Sequence, residues 1–228
     1  YAKGVRAGDV KYFDYNEDGD ISDADRMNVG KAIPDFYGGI TSNFSYKGFD
    51  LSLFGQFSVG GKVMSAWRGV NGSEGTDHLG LALSNVKVND RGESVEQYFN
   101  VSKEVANGYW RGEGTSNTIP RPVRIGVHTG YDYDYNVQTS TRYLEDASYF
   151  KLKTVTLGYT LPESVVKKLR VNSLRVYVSA DNLLTLTKYS GYDPETSFSG
   201  SPGDSNYGVD FGLQPVLRTF IFGLNLNF

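Results

Sequence analysis

The sequence contains no cysteine and only two residues each of tryptophan, methionine and histidine among its 228 positions. The absence of cysteine is compatible with passage through an oxidising compartment such as the periplasm. No stretch of about eighteen apolar residues occurs, which excludes a transmembrane helix but leaves membrane-crossing strands open, because these are short and only half apolar. An excess of positive charge is also absent, since 23 Lys and Arg residues stand against 26 Asp and Glu, a formal net charge of −3. A nucleic-acid partner is therefore not expected, since it would require a basic stripe.

Catalytic signatures are equally scarce. The two histidines, His78 and His128, do not belong to a His-Glu-x-x-His pattern, and no Gly-x-Ser-x-Gly pattern occurs. Acidic residues are frequent, but no spacing singles out a catalytic pair, and we expect no enzyme activity from this chain. The sequence starts at Tyr1 without a secretion signal. An exported chain of this sequence is therefore expected to be a fragment or a processed product.

Tyrosine, phenylalanine and glycine are abundant, at 17, 13 and 27 residues, a composition rich in strand formers and turns. The clearest pattern lies in residues 216–228. Large apolar side chains alternate there with polar or small ones: Phe220, Phe222, Leu224, Leu226 and Phe228 against Thr219, Gly223, Asn225 and Asn227. Because successive side chains of a strand point to opposite faces, this segment predicts a strand with one apolar and one polar face. Both a soluble β-sandwich and a transmembrane β-barrel contain such strands.

Four more strands are predicted from the same alternation. Two form a hairpin over residues 38–59 with its turn at Lys47 and Gly48, and the others cover 149–161 and 173–184. Their connections alternate in length, because the hairpin turn and the segment 162–172 are short, whereas the other two connections have about ninety and about thirty residues. Loops sorted in this way are typical of an outer-membrane barrel with its short turns in the periplasm, and Phe228 then lies at the periplasmic end.

Five strands are too few to close a barrel, and an open edge in lipid leaves backbone groups unpaired. The sequence therefore predicts an all-β fold in which this chain is one part of a larger transmembrane antiparallel barrel.

An acidic stretch near the start has the spacing of an EF-hand calcium loop. Oxygen-bearing residues occupy positions 1, 3 and 5, Gly19 occupies position 6, Ile21 position 8, and an acid position 12. We predict one structural calcium ion with ligands from five residues: Asp14, Asn16, Asp18, the Asp20 carbonyl and Asp25. Aspartate in place of glutamate at position 12 weakens bidentate closure. The alternative is an acidic, solvated turn.

Aromatic side chains in the long connections are the candidates for ligand binding. Trp67 and Trp110 lead this group, because indole offers the largest face for stacking on a sugar or an apolar residue. The alternative is that both rings pack among loop side chains. Lys151 and Lys153 are predicted on the same face as Val155, where they meet lipid headgroups or solvent.

Six stretches occur together and in order: residues 8–12 with the loop 14–25, 119–122, 148–162, 181–189, 191–195 and the terminal strand. Together they resemble the C-terminal part of the SusC-like (RagA-like) TonB-dependent transporters of Bacteroidetes. The resemblance implies a 22-stranded barrel in the cell outer membrane, of which this chain supplies about the last five strands. It also implies an N-terminal plug and a TonB-contacting region outside this chain, and a SusD-like surface lipoprotein as partner.

The resulting interpretation divides the chain at residue 35. Residues 1–35 are predicted to form an extracellular loop with the calcium motif, and 36–228 the strands and long extracellular loops of the barrel. The function implied by the resemblance is import of glycans or peptides across the outer membrane. Two alternatives remain: an outer-membrane enzyme barrel, which would need an acid and a histidine near its rim, and a secreted calcium-containing β-sandwich that binds glycans.

Overall fold

The computed structural model describes residues 5–66, 82–88, 91–98, 102–125, 136, 138–195 and 207–228. The strands, in chain order, are β1 (Phe36–Tyr46), β2 (Phe49–Val59), β3 (Lys62–Ser65), β4 (Ala82–Val88), β5 (Ser94–Tyr98), β6 (Val123–Ile125), β7 (Leu144–Asp146), β8 (Tyr149–Thr160), β9 (Ser173–Thr187), β10 (Val209–Asp210) and β11 (Thr219–Asn227). The α-helices are α1 (Lys103–Gly108) and α2 (Glu163–Leu169). No helix among the described residues is long and apolar enough to cross a membrane.

Five long strands form one antiparallel sheet in the order β1-β2-β8-β9-β11. These are the five strands predicted from the alternating pattern, and the prediction of an all-β barrel wall is confirmed. The β1–β2 turn consists of Lys47 and Gly48, which have φ angles of 47° and 88°. Positive φ at both positions is the type I′ turn, whose twist matches the twist of the paired strands.

One face of this sheet is apolar and exposed. Its members come from all five strands and stand opposite one another in the register: Phe44 and Leu51, Leu53 and Val155, Leu157 and Val178, Val176 and Leu224. Phe222 is 80% exposed and Phe228 is 85% exposed. A soluble β-sandwich would bury such residues between two sheets, whereas a barrel presents them to lipid. The exposure of this face therefore favours the membrane barrel.

An irregularity in β8 exchanges its two faces. The pairing with β2 shifts between Phe54 and Gly55, where β8 has the extra residue Lys153. The pairing of β8 with β9 shifts at the same level. Because side chains alternate along a strand, one extra residue moves everything beyond it to the other face. Lys151 therefore lies on the polar face, opposite Thr185, and the prediction that it shares a face with Val155 is wrong.

The two short connections and the chain terminus lie at one end of the sheet. The segment 162–172 contains helix α2, which starts after Pro162 and ends at Arg170 in the left-handed conformation, φ 56°. Asn227 pairs with Ser173, and the Asn172 N–H donates to the Asn227 carbonyl at 2.8 Å. Phe228 therefore follows directly at the short-turn end, as the loop pattern predicted. We refer to this as the short-turn end of the sheet.

The chain forms two compact units. The first contains Tyr1–Gly30, Met64–Leu144 and Val209–Gly212, and the second contains Lys31–Val63, Glu145–Gly208 and Leu213–Phe228. In the first unit, β4 pairs antiparallel with β5 and parallel with β6, and β10 pairs parallel with β3 at Met64 and Ser65. In the second unit, which carries the large sheet, a small buried cluster joins Val63, Ala147 and Tyr189. The predicted division at residue 35 stays a prediction.

Candidate functional site

The polar face of the large sheet carries hydrogen-bonded side chains. Thr154 donates to Asp181 at 3.0 Å, and the hydroxyls of Thr156 and Ser179 are 2.8 Å apart. Both pairs join β8 to β9 on the face opposite the apolar one. This arrangement satisfies polar groups on one side of the wall, as the water-filled interior of a barrel requires. We call this the lumen face.

An ion pair on the lumen face spans three strands near the short-turn end. Arg175 on β9 donates to both carboxylate oxygens of Asp50 on β2, at 2.9 and 2.5 Å. The strand between them, β8, carries Gly158 at this position, and a side chain there would run into both partners. Glycine is thus required so that the bidentate pair can form across β8.

A second ion cluster lies on the lumen face at the other end of β8. The Lys151 ammonium group is 2.6 Å from Asp193 Oδ1, 2.7 Å from Asp193 Oδ2 and 2.8 Å from Glu195 Oε2. Lys153 Nζ also donates to Glu195, at 2.5 Å. Lys151 is only 1% exposed. The prediction that Lys151 meets lipid headgroups or solvent is therefore wrong, because the β8 irregularity directs it towards these carboxylates.

Charge compensation in this cluster shows in the acidity of Glu195. Burial on its own would raise the pKa of this carboxyl, but hydrogen bonds from Lys151 and Lys153 outweigh burial and leave the pKa below its ordinary value. The segment after β9 is held by further bonds, because Ser190 donates from its N–H and hydroxyl to Glu145 at 2.8 and 2.7 Å. The sequence 191–195 is thereby fixed against β7 and β8.

The first unit contains a buried polar cluster that explains two of the stretches noted in the sequence. Arg121 forms an ion pair with Asp9, with Nε 2.6 Å from Oδ1 and Nη2 3.0 Å from Oδ2. Asn136 donates to Asp9 at 2.8 Å and to the Arg121 carbonyl at 3.0 Å, and it accepts from the Val10 N–H at 2.8 Å. Residues 8–10 and 119–122 are thus joined through one ion pair and the hydrogen bonds of Asn136.

The acidic loop is closed by its own side chains. Asp25 accepts from the N–H groups of Tyr15 and Ser22 at 2.8 and 2.7 Å, and Asp14 Oδ2 accepts from the Gly19 N–H at 2.9 Å. The N–H of Ser22, with those of Tyr15 and Asn16, lowers the pKa of the Asp25 carboxyl. The Oδ1 atom of Asp14 is buried and has no hydrogen-bond partner.

The remaining predicted ligands of this loop bond to one another. Asn16 Nδ2 donates to Asp18 at 2.7 Å, and the Asp20 N–H donates to Asp18 Oδ1 at 2.9 Å. Among the residues that the structure describes, no group of three or more His, Cys, Asp or Glu side chains has a geometry that could hold a metal ion. The calcium ion stays a prediction, and the buried Asp14 oxygen is the feature that favours it.

Of the two candidate ligand-binding tryptophans, Trp67 lies outside the described residues. Trp110 is half-buried, and its ring occupies the space above Gly8, which has φ 88°. The backbone N–H of Trp110 donates to the Ile119 carbonyl at 3.0 Å. Packing against neighbouring loop residues therefore accounts for one part of the indole surface, and a ligand contact by the remainder stays a prediction.

Comparison with known proteins starts from the sequence. No family profile matches the chain. The chain is 33% identical to TonB-dependent receptor P3 of Formosa agariphila over 225 residues, which is 97% of this chain. It is 32% identical to TonB-dependent receptor P26 of the same organism over 233 residues, and 26% identical to TonB-dependent receptor SusC of Bacteroides thetaiotaomicron over 95% of its length. The chain is thus similar, over nearly its whole length, to one part of these TonB-dependent receptors, SusC among them.

As a part of such a receptor, the chain spans about a fifth of the length of these curated relatives, 19% of the first and 17% of SusC. The solved structure of the RagAB peptide transporter shares the fold, with a TM-score of 0.59 and 23% identity over 87% of this chain and 18% of that chain. The RagAB peptide importer in the closed-closed state aligns similarly, with a TM-score of 0.57. These receptors are outer-membrane proteins, and the segment is therefore located in the cell outer membrane.

Proposed function

We propose that this chain forms a part of the wall and the long loops of a TonB-dependent outer-membrane importer, and that five of about 22 barrel strands are the ones described above. The observation that carries this proposal is the division of the large sheet into an exposed apolar face and a hydrogen-bonded lumen face. A wall of this kind separates lipid from an aqueous passage. No catalysis is assigned to its residues.

The partners and the substrate class belong to the same proposal. A SusD-like surface lipoprotein would cover the barrel, and the TonB complex would drive import through the receptor's N-terminal region. The substrate would be a glycan or a peptide. The similarity to TonB-dependent receptors supports the role of TonB and of a lipoprotein, and the likeness to the RagAB peptide transporter supports a peptide as the substrate. The glycan is the other substrate class that the resemblance of the sequence implies.

Uptake by cells that express the intact receptor tests this function. Labelled oligosaccharides and labelled peptides of similar size should be offered separately, with and without a proton-motive-force uncoupler. We expect uptake of one class, loss of that uptake with the uncoupler, and co-purification of a surface lipoprotein. Uptake of neither class, or uptake that persists without the proton-motive force, would contradict the proposal.

Trp110 is the described candidate for a substrate contact. Trp110→Ala should weaken substrate affinity while barrel assembly stays unchanged, because only part of the indole is used in packing on Gly8. Trp110→Phe is the matched control, since it retains an aromatic ring. Unchanged affinity in Trp110→Ala, or failure to assemble, would support the packing role alone. The same test applies to Trp67.

A calcium ion in the acidic loop is the remaining proposal. Asp14 Oδ1 would be one ligand, with Asn16, Asp18, the Asp20 carbonyl and Asp25 as the others. Asp14→Asn in the intact receptor should lower the affinity for calcium, measured by terbium luminescence and its displacement by calcium. Asp23→Asn is the control, because this exposed side chain pairs with Arg26 and is not in the proposed ligand set. Equal affinities in both variants would argue for a solvated turn.

A further inference from the structure

The short-turn end of the large sheet concentrates positive charge. Its two connections contain four basic residues, Lys47, Lys167, Lys168 and Arg170, and one acid, Glu163, in a chain whose formal net charge is −3. All four basic side chains are exposed. Glu163 neutralises only Lys167, at 2.9 Å. We call Lys47, Lys167, Lys168 and Arg170 the basic collar.

The collar lies next to aromatic residues of the apolar face. Tyr46 and Phe49 flank the Lys47-Gly48 turn and are 69% and 51% exposed, and the Phe49 ring is 4.5 Å from that of Tyr159. Aromatic side chains at the end of an apolar band mark the boundary between hydrocarbon and headgroups. The Gly48 carbonyl accepts from the Thr160 N–H at 2.8 Å, which holds this turn beside the strand that leads into α2. The collar therefore continues the sheet at headgroup level.

Two collar residues occupy backbone conformations that other residues adopt at lower cost. Lys47 is the first residue of a type I′ turn, where asparagine is favoured, and Arg170 ends α2 in the left-handed region, where glycine is favoured. The same helix exposes Val165, an apolar side chain beside these charges. Strain retained at basic positions points to a role for the charge itself.

We propose that the basic collar binds the headgroups of anionic phospholipids in the membrane leaflet at the short-turn end of the barrel. Guanidinium and ammonium groups suit phosphate oxygens, and basic residues beside a membrane surface attract anionic lipids. Val165 and the neighbouring aromatic side chains would contact the upper part of the acyl chains. This inference uses the barrel's place in the membrane and does not depend on the identity of the imported substrate.

Strain-relieving substitutions test this proposal in the intact receptor. Lys47→Asn with Arg170→Gly suits the turn and the helix end better than the present residues, so the barrel should assemble at least as well, as judged by heat-modifiable gel migration. Lys168→Gln removes a third charge. The receptor is reconstituted in phosphatidylcholine vesicles that contain phosphatidylglycerol, and spin-labelled lipids report which of the two occupies the protein boundary. We expect at least about a twofold loss of preference for phosphatidylglycerol in the triple variant, and a similar loss at high salt for the unmodified receptor.

The control replaces three exposed lysines outside the short connections: Lys11, Lys31 and Lys103, each by glutamine. This control should keep the preference of the unmodified receptor. The proposal is overturned if the unmodified receptor shows no preference, if the triple variant keeps it, if the control loses it equally, or if the triple variant fails to assemble. It is also overturned if glycerol phosphate in solution competes as well as the lipid, because the site would then bind free anions.

Discussion

Lys151 is the residue whose environment departs most from its chemical type. A side chain that is usually solvated is here 1% exposed and surrounded by Asp193 and Glu195. Desolvating these charges is costly, and the cluster of Lys151, Asp193 and Glu195 is stable only while every partner stays in place. Removing the Lys151 cation therefore takes an ammonium group away from two partly buried carboxylates and leaves Lys153 as the cation beside Glu195, which costs more than the loss of one hydrogen bond.

We predict that Lys151→Met destabilises the barrel by about 3 to 5 kcal/mol. Unfolding of the purified receptor in urea, followed by tryptophan fluorescence, measures this effect. Lys167→Met is the control, because Lys167 forms an exposed pair with Glu163 on α2, and such pairs contribute at most about 1 kcal/mol. Equal losses in the two variants would contradict a special role for the buried cluster.

The pH dependence of this cluster follows from Glu195. Its pKa is lower in the folded chain than the ordinary value of 4.5. The resulting stabilisation is present above the unfolded pKa and is lost as the pH falls through the folded pKa. We predict that the amide of residue 195, which donates to Asp193 at 2.9 Å, stays protected from hydrogen exchange at about pH 5 to 7 and loses protection as the pH falls through the lowered pKa of Glu195. Glu195→Gln should show no such acid transition, and loss of protection already at pH 6 would disagree with this assignment.

At the scale of elements, the alternating pattern predicted all five long strands but could not predict the face of Lys151. The alternating pattern gives no sign of an extra residue in β8, because Lys151 and Lys153 continue the two-residue spacing of Val155. The partners of Lys151 lie about forty residues further along the chain, so no local spacing announces them. Helix α2 was also missed, because a seven-residue helix between strands gives too short a periodic signal.

Gly158 lies within strand β8, between Asp50 and Arg175, and its role therefore comes from strand pairing and not from a turn. We predict that Gly158→Val costs about 1 to 3 kcal/mol, since its side chain would displace Arg175 and Asp50. Urea unfolding again measures the effect. Thr156→Val, on the same strand and face, is the control and loses a single hydroxyl contact with Ser179.

A second background sharpens this prediction. If Asp50 and Arg175 are both replaced by alanine, Gly158→Val should cost much less, because the atoms it meets are gone. The same cost in both backgrounds would mean that the effect of valine arises elsewhere in β8.

At the scale of the whole molecule, the orientation of the wall is the property most open to test. We predict that Leu224→Arg, on the apolar face, opposes barrel assembly by about 2 to 4 kcal/mol if the residue lies near the membrane midplane. Asn43→Arg is the control on the lumen face of β1 and should assemble normally. Asn225 is less suitable, because it stands opposite Arg175 and a second arginine would add repulsion. Similar yields of assembled Leu224→Arg and Asn43→Arg would reverse or remove the face assignment.

The sequence predicts some parts of the structure better than others. Apolar and polar side chains must alternate along a barrel strand, because lipid and water lie on its opposite sides. The strands of the wall can therefore be predicted from the sequence. The long connections follow no such rule. Strand β4 pairs with β6, which lies about forty residues further along the chain, and Asp9 contacts Arg121 and Asn136, which lie more than one hundred residues away from it. The acidic loop lies between these cases. Its spacing predicted Asp25 as a calcium ligand, which stays a prediction, and the structure shows that Asp25 accepts from the N–H groups of Tyr15 and Ser22.

Glycines in the large sheet also set the smoothness of its surfaces. The ring of Tyr177 occupies the space above Gly223, and the ring of Phe54 occupies the space above Gly39, both on the lumen face. Each ring thus fills a recess in the backbone and does not project over a neighbouring side chain. Both rings therefore lie closer to the backbone than they would above bulky residues. A solute beside this face would have more space above the rings. Replacing either glycine by a larger residue would push the ring above it outwards and reduce the space beside the lumen face, with no change in charge.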